Sequence, residues 1–210
     1  MARGRSSGAA AAVVVVIGLV VLSSRKSSAK GGKAVANLTG KQVERVHSWV
    51  GSVKDWATTR YGAALEAVHA HWGGAVDEQQ AKDVALSLLT HWAIETANGA
   101  GEFNWNVGNI NALGDQQYFL VKDIDGTVHA ERGYDSLTDG INSYVQLLAS
   151  PRYAPAAKKL ADDPANPDWF VTLGKCGWFD PTAAKPPSSW DEAAKGFASR
   201  RKVLAGQVSQ

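Results

Sequence analysis

The run from Asp77 to Asn98 constrains this chain more than any other segment, because it reads as an amphipathic helix with an acid on its apolar side. Val84, Leu88 and Trp92 recur at helical spacing. Glu95 lies three residues past Trp92 and seven past Leu88, so it falls on the same stripe. Glu is almost never fully buried unless it is paired. Asn98-Gly99 supplies a helix stop and leaves Glu95 in the last turn. The negative end of the helix dipole and apolar neighbours both disfavour a charged carboxylate there. A carboxylic acid that keeps its proton near neutral pH is what general acid catalysis requires. On position alone two readings stand: a general acid, or a glutamate that snorkels out at a frayed helix end.

Other chemistries have less support. A formal net charge of +2, with much of the positive charge near the N-terminus, gives nucleic-acid binding little basis. The lone Cys176 excludes an intrachain disulfide framework. His47, His69, His71, His91 and His129 form no His-Glu-x-x-His run, and Cys-x-x-Cys is absent, so no metal site is expected. Glycine-rich phosphate loops and Gly-x-Ser-x-Gly are also absent, so no nucleotide cofactor is expected. Eight Trp are many for 210 residues. They suit either core packing or sugar stacking.

Residues 9–22 are uninterrupted and apolar. Arg3 and Arg5 precede them, Arg25 and Lys26 follow, and the uncharged span from Gly8 to Ser24 is short for a membrane-spanning helix. A cleaved signal peptide is the competing reading, with Ser27-Ser28-Ala29 as a small-residue cleavage site. Basic residues between apolar core and cleavage site are unusual in such signals, which favours a retained anchor. The flanking charges fix no orientation. The expected organisation is a basic N-terminus over 1–8, a transmembrane helix over 9–24, a flexible Ser/Gly/Lys/Ala tether over 25–38, and one folded domain over 39–210. About 170 residues suffice for a single core.

Within that domain Thr39-Gly40-Lys41-Gln42 reads as a capping box opening a helix with Val43, Val46, Trp49, Val50 and Val53. A second helix is predicted near 62–72, broken by Gly73-Gly74. Asp77 is the predicted N-cap of the Glu95 helix, with Gln80 completing its box. Residues 99–115 read as a structured Gly/Asn-rich loop. Tyr118–Lys122 and Thr127–Arg132 read as hairpin arms around an Asp125-Gly126 turn. A helix starting at Ser136 and ending before Pro151 follows, then short helices near 154–162 and 167–173. Ser189 caps a final helix carrying Lys195, Arg200, Arg201 and Lys202, a face for solvent or for anionic polymers. The expected class is α+β, mostly α: a helical lobe and a small β-hairpin lobe with a cleft between them, a lysozyme-like layout. Such an analogy of fold is a weak warrant for function.

Specific residues extend the likeness. Ala93-Ile94-Glu95-Thr96 before a Gly-containing loop resembles the Ala-x-Glu-Thr/Ser-Gly motif of bacterial peptidoglycan N-acetylglucosaminidases, the family of autolysins and of the muramidase domain in flagellar rod proteins. Asn106-Val107-Gly108-Asn109-Ile110-Asn111 is similar to its Asn-Asn-x-Phe-Gly-Ile-Lys element, and Arg132-Gly133-Tyr134-Asp135-Ser136 to its Phe-Arg-x-Tyr-x-Ser element. Gly140-Ile141 through Tyr144 to Leu147-Leu148, then Pro151-Arg152-Tyr153-Ala154, resemble its Asp-Tyr-x-x-Leu-Leu-x-x-x-Arg-Tyr stretch. Gly177-Trp178-Phe179-Asp180-Pro181 stands where that family has Gly-Tyr-Ala-Thr-Asp-Pro. These elements keep the family's order over roughly residues 80–182.

The resemblance implies that Glu95 is a general acid and that Asn109 and Tyr134 line a cleft. Trp178 replaces a tyrosine and lacks its hydroxyl, leaving it to stack on a sugar or to fill core. Trp92 and Trp105 would keep the acid dry, with Trp105 also a candidate sugar contact. Glycoside cleavage also needs help for an oxocarbenium-like centre. Asp115, Asp123, Asp125 and Glu131 are the candidates for a second carboxylate, and Glu131 is preferred because it borders the Tyr134 element. Alternatively the substrate's acetamido group or C6 hydroxyl attacks, the latter as in lytic transglycosylases. The implied function is a membrane-anchored glycosidase acting on peptidoglycan glycan strands, in a cell envelope or a virion. A non-catalytic glycan-binding or structural membrane protein of the same fold is the alternative.

Overall fold

Asp77 accepts a hydrogen bond from the Gln80 backbone N–H at 2.7 Å and so starts the helix that organises the molecule. The computed structural model describes residues 37–122, 126–179 and 189–209. Its elements are α1 (Val53–Trp72), α2 (Glu78–Glu95), β1 (Tyr118–Lys122), β2 (Val128–Arg132), α3 (Leu137–Leu148), α4 (Ala154–Asp162), α5 (Asp168–Lys175) and α6 (Trp190–Val208).

Helix α2 departs from the amphipathic reading. From Val84 to Ala93 every residue is buried. Helices α1, α4 and α6 all pack against it. A helix enclosed on all sides is the central element of a core. Its two buried hydroxyls are satisfied internally: Ser87 donates to the Pro164 carbonyl at 2.5 Å and Thr90 to the Leu86 carbonyl at 2.7 Å. The predicted capping box is half made, because the Gln80 side chain donates instead to the Ala161 carbonyl at 2.6 Å. Around α2 the core is aromatic, with Trp56, Trp92, Tyr144, Trp169, Phe170 and Phe197 all essentially inaccessible. Each such side chain contributes about 1.5–3 kcal/mol on burial.

The predicted helix over residues 39–53 is absent. That segment places its backbone on other strands and loops: Val43 N–H donates to the Tyr118 carbonyl at 2.8 Å, Tyr118 N–H to the Lys41 carbonyl at 3.0 Å, and Ser48 N–H to the Glu102 carbonyl at 3.0 Å. Val46 and Val50, read as a buried stripe, are 54% and 93% exposed. Long-range partners for the backbone outweighed a local capping pattern. The helix begins only at Val53, where the Ser52 hydroxyl accepts from Asp55 N–H at 3.1 Å, and it runs on through the predicted second helix as one element.

The hairpin forms in the predicted place, antiparallel, with Phe119 opposite Glu131 and Leu120 opposite Ala130. Gly126 has a φ of +85°; Asp125 lies outside the described residues. Helix α6 carries the complete capping box between Ser189 and Glu192. Two of its basic residues are not simply solvated: Arg201 reaches Asp83 at 2.6 Å and Ser87 at 3.1 Å, and Arg200 reaches the Asn98 side chain at 2.9 Å. Among the described residues no helix is long and apolar enough to cross a membrane. The predicted span over 9–24 lies outside them, as does the tether up to residue 36.

Candidate active site

Helix α2 ends at Glu95, and the turn that follows is built to stop it there. The Thr96 hydroxyl donates to the Trp92 carbonyl at 2.7 Å and accepts from Gly99 N–H at 3.0 Å. Ala97, Asn98 and Gly99 then take φ of +51°, +60° and +89°. At Gly99 a Cβ would meet the Trp56 ring at 2.4 Å, so only glycine lets this turn close onto α1.

The Glu95 side chain is 9% exposed. Its Oε1 is 3.1 Å from His91 Nε2, one turn back on the same helix. His91 Nδ1 is in turn 2.6 Å from the Tyr144 hydroxyl of α3. His91 is buried and enclosed by the rings of Tyr144, Trp169, Phe170 and Trp178, at centroid distances of 5.4 to 6.0 Å. Burial, and then the Glu95 charge, push the Tyr144 hydroxyl well above its ordinary pKa, so it remains a neutral O–H. Asn109 donates from Nδ2 to the Glu95 carbonyl at 2.6 Å and ties the following loop to the helix end.

The other sequence candidates divide. Trp178 is 3% exposed and packs on Tyr144 and Tyr153 at 5.3 and 5.1 Å; it occupies core and walls in His91. Trp92 is also fully buried, edge-on to Tyr144 at 5.5 Å. The Trp105 ring lies 5.5 Å from the Arg60 guanidinium, and its backbone N–H donates to the Ser48 hydroxyl at 2.5 Å; these contacts set it beside Arg60 on α1. Tyr134 is 7% exposed and donates to the Ser143 hydroxyl at 2.9 Å, with Arg132 over its ring. It lines a polar cleft of about 420 Å³, with Gln117, Arg132, Asp135, Asn142 and Ser143, which neither Glu95 nor Glu131 lines. Burial raises the Tyr134 pKa.

Glu131 sits on β2, 8% exposed, with His129 Nε2 at 3.2 Å from Oε1 and Asn106 Nδ2 at 3.4 Å from Oε2. Asn106 also holds Ile110 through both its side-chain atoms. Asp115 is exposed at the surface. Asp123 and Asp125 lie outside the described residues. Among the described residues no group of three His, Cys, Asp or Glu is placed to hold a metal ion.

Three buried polar side chains carry little signal in the sequence. His91 and Tyr144 escaped notice as reactive groups, although a His four residues before a Glu on one helix is a legible neighbour pair. The third is Glu102, fully buried and paired with Arg60 at 2.6 Å.

No protein-family profile matches the chain, and no curated protein sequence matches it. Solved structures do. The peptidoglycan hydrolase from Sphingomonas sp. A1 aligns with a TM-score of 0.53 and 21% identity, over 75% of this chain and 96% of that one. The chain shares its fold. A glutamate-to-alanine mutant of that hydrolase aligns with a TM-score of 0.54 and 20% identity, over 75% and 99%. The glycoside hydrolase domain of FlgJ from Salmonella typhimurium gives 0.47 and 22%, over 76% and 94%. The shared fold rests on the first two. It is the mostly helical α+β arrangement with a small two-stranded hairpin that the sequence predicts.

Proposed function

We propose that this chain is a glycoside hydrolase that cleaves the glycan strands of peptidoglycan, with Glu95 as general acid. The observation that carries the reading is Glu95 itself. It closes a helix whose preceding turns are buried on every side, it is 9% exposed, and its Oε1 is already held by His91. A side chain so placed costs stability in a protein that only needs to pack. The motif resemblance around Glu95 and the fold shared with a hydrolase named for this substrate support the same assignment.

The chemistry follows from the geometry. Among the described residues no hydrogen bond occupies Oε2 of Glu95, so that oxygen is the one to hand a proton to the bridging oxygen of a glycosidic bond. As the bond breaks, positive charge develops at the sugar carbon and the Glu95 carboxylate becomes charged. His91 Nε2 lies 3.1 Å away, in place to donate to that carboxylate. We assign the second carboxylate to Glu131, which would activate the attacking water. It is carried by the hairpin and linked through Asn106 to the loop that Asn109 ties to Glu95. The apolar run over 9–22 suits a membrane tether that holds the domain within reach of a wall, in a cell envelope or a virion.

The test is digestion of purified peptidoglycan by the full chain in mild detergent, with mass spectrometry of released fragments. Fragments with reducing N-acetylglucosamine ends identify a glucosaminidase, reducing N-acetylmuramic acid ends a muramidase, and anhydro ends a transglycosylase. Glu95→Gln must abolish release while leaving the circular dichroism spectrum intact. A folded wild-type protein that releases nothing refutes the enzyme and leaves a glycan-binding role.

A further inference from the structure

We infer that His91 is a positioning residue that decides which oxygen of Glu95 carries the transferable proton, and that Tyr144 sets His91 for the task. The inference rests on the reading of Glu95 as the general acid. Its basis is a continuous line of three side chains from two helices: Tyr144 hydroxyl to His91 Nδ1 at 2.6 Å, and His91 Nε2 to Glu95 Oε1 at 3.1 Å.

A neutral imidazole has one N–H donor and one bare acceptor nitrogen. A carboxylate oxygen can only accept. While Glu95 is charged, the nitrogen facing Oε1 must therefore be the one with hydrogen, which makes Nδ1 the acceptor and the Tyr144 O–H the donor. Tyr144 retains its proton across any working pH, since burial and the Glu95 charge hold its ionisation well above the usual range. The tautomer is thus set by the Glu95 carboxylate, and the Tyr144 O–H supplies the donor that the bare Nδ1 then needs. With Oε1 occupied by Nε2–H, a proton added to Glu95 settles on Oε2. Once that proton has moved to the leaving sugar oxygen, the same Nε2–H steadies the carboxylate that remains. His91 need not gain or lose a proton in either state.

The surroundings suit this task. The titratable groups facing His91 among the described residues are Tyr144, from α3, and Glu95, on its own helix. Helix α5 and the segment after it present Trp169, Phe170 and Trp178, which carry no charge. Gly108 has no Cβ where one would lie 2.6 Å from Tyr144 and 3.2 Å from Trp178, so the loop presses on the Tyr144 ring and leaves its hydroxyl little room to swing away.

The experiment pairs a spectroscopic readout with kinetics on the full chain in detergent. In protein labelled with ¹⁵N-histidine, His91 should show Nε2 protonated and Nδ1 bare; an Nδ1–H ring in wild type overturns the inference. Tyr144→Phe should release part of the ring population to the Nδ1–H form and lower kcat about ten-fold with KM unchanged. That is less than the roughly 10²–10⁴-fold effect of removing a general acid. The alkaline limb of its kcat/KM profile should move to higher pH, because a carboxylate that loses a donor holds its proton more firmly. His91→Leu should give the same shift and a larger loss, and His91→Gln, whose amide N–H can still face Oε1, should recover part of both. If wild type cleaves and these variants keep its kcat and pH profile, the role of His91 is refuted while Glu95 stands as the acid. If folded wild type releases no fragments, the reading of Glu95 fails and this inference falls with it.

Discussion

Replacing Glu102 with glutamine should destabilise the fold by about 3–5 kcal/mol, the usual cost of leaving one member of a buried ion pair alone. The geometry places this site at the upper end. Arg60 and Glu102 are 1% and 0% exposed, so solvent cannot compensate the orphaned guanidinium. The pair is bidentate, with Nη2 to Oε1 at 2.6 Å and Nε to Oε2 at 3.1 Å, and Trp56 Nε1 donates to the same Oε2 at 3.0 Å. Glutamine keeps one acceptor and turns an NH₂ group toward Arg60. For a domain of this size each kcal/mol moves the thermal midpoint by about 2–4 °C, so the expected drop is about 6–20 °C. Thermal unfolding of the full chain followed by circular dichroism measures it. A second variant separates charge from packing. Arg60→Met combined with Glu102→Leu removes both charges at similar volume, and such replacements are often neutral or stabilising. The Trp56 N–H then loses its acceptor, at about 1–3 kcal/mol. The double variant should therefore be more stable than Glu102→Gln alone. A Glu102→Gln midpoint within about 2 °C of wild type, or a double variant less stable than the single one, refutes the reasoning.

Three further outcomes follow from named contacts. Gly108→Ala should cost about 1–3 kcal/mol in urea unfolding, because the new methyl meets the Tyr144 ring at 2.6 Å; activity should fall further than stability, since Tyr144 is pushed against His91. Stability should decline as pH rises past 10.0, where the unfolded chain ionises its tyrosines while buried Tyr144 keeps its proton in the fold; denaturation midpoints between pH 9 and 11 should show a shallower decline in Tyr144→Phe. Arg201→Ala removes the hydrogen bonds from α6 to Asp83 and Ser87 and should cost about 1 kcal/mol by chemical denaturation, with the rate of peptidoglycan cleavage unchanged.

Local signals were legible wherever their partners are local. The hairpin arms at 118–122 and 128–132, the Ser136 and Ser189 caps and the Asp77 cap each depend on neighbours in sequence. Residues 39–52 carry an equally good helical pattern and form none, because β1, Gly114 and Glu102 offer their backbone partners that no window of sequence reveals. Glu95 stood out because an acid on an apolar stripe is anomalous wherever the stripe packs. His91 and Tyr144 did not, because a histidine or tyrosine on such a stripe reads as ordinary core. Arg60 and Glu102 are 42 residues apart, and neither has a local feature that marks it as buried. Trp178 shows the limit of motif matching. Its place in the motif suggests a sugar contact, yet its ring is enclosed by Tyr144, Tyr153 and His91.

The loop between α2 and β1 links the end of the Glu95 helix to the strand that carries Glu131. Asn104, Trp105 and Asn109 have φ of +48°, +57° and +48°, and for a residue as bulky as Trp that conformation is a true outlier. Strain of this kind persists only where the surroundings over-determine it. Here they do. Asn104 accepts from Val46 N–H and donates to the Glu44 carbonyl, the Trp105 N–H is held by Ser48, Asn106 grips both Ile110 and Glu131, and Asn109 grips the end of α2. The edge segment over 41–48 thus has a purpose that a helix there would not serve: it braces the first half of this loop from outside. One end of the loop fixes the carbonyl of Glu95, and its middle reaches the carboxylate of Glu131. The hairpin is also tied to α3, where Arg132 Nη1 donates to the Ser143 hydroxyl at 2.9 Å, so β2 is held from the loop and from the helical lobe, and the strain at Trp105 sits in the braced half of that loop.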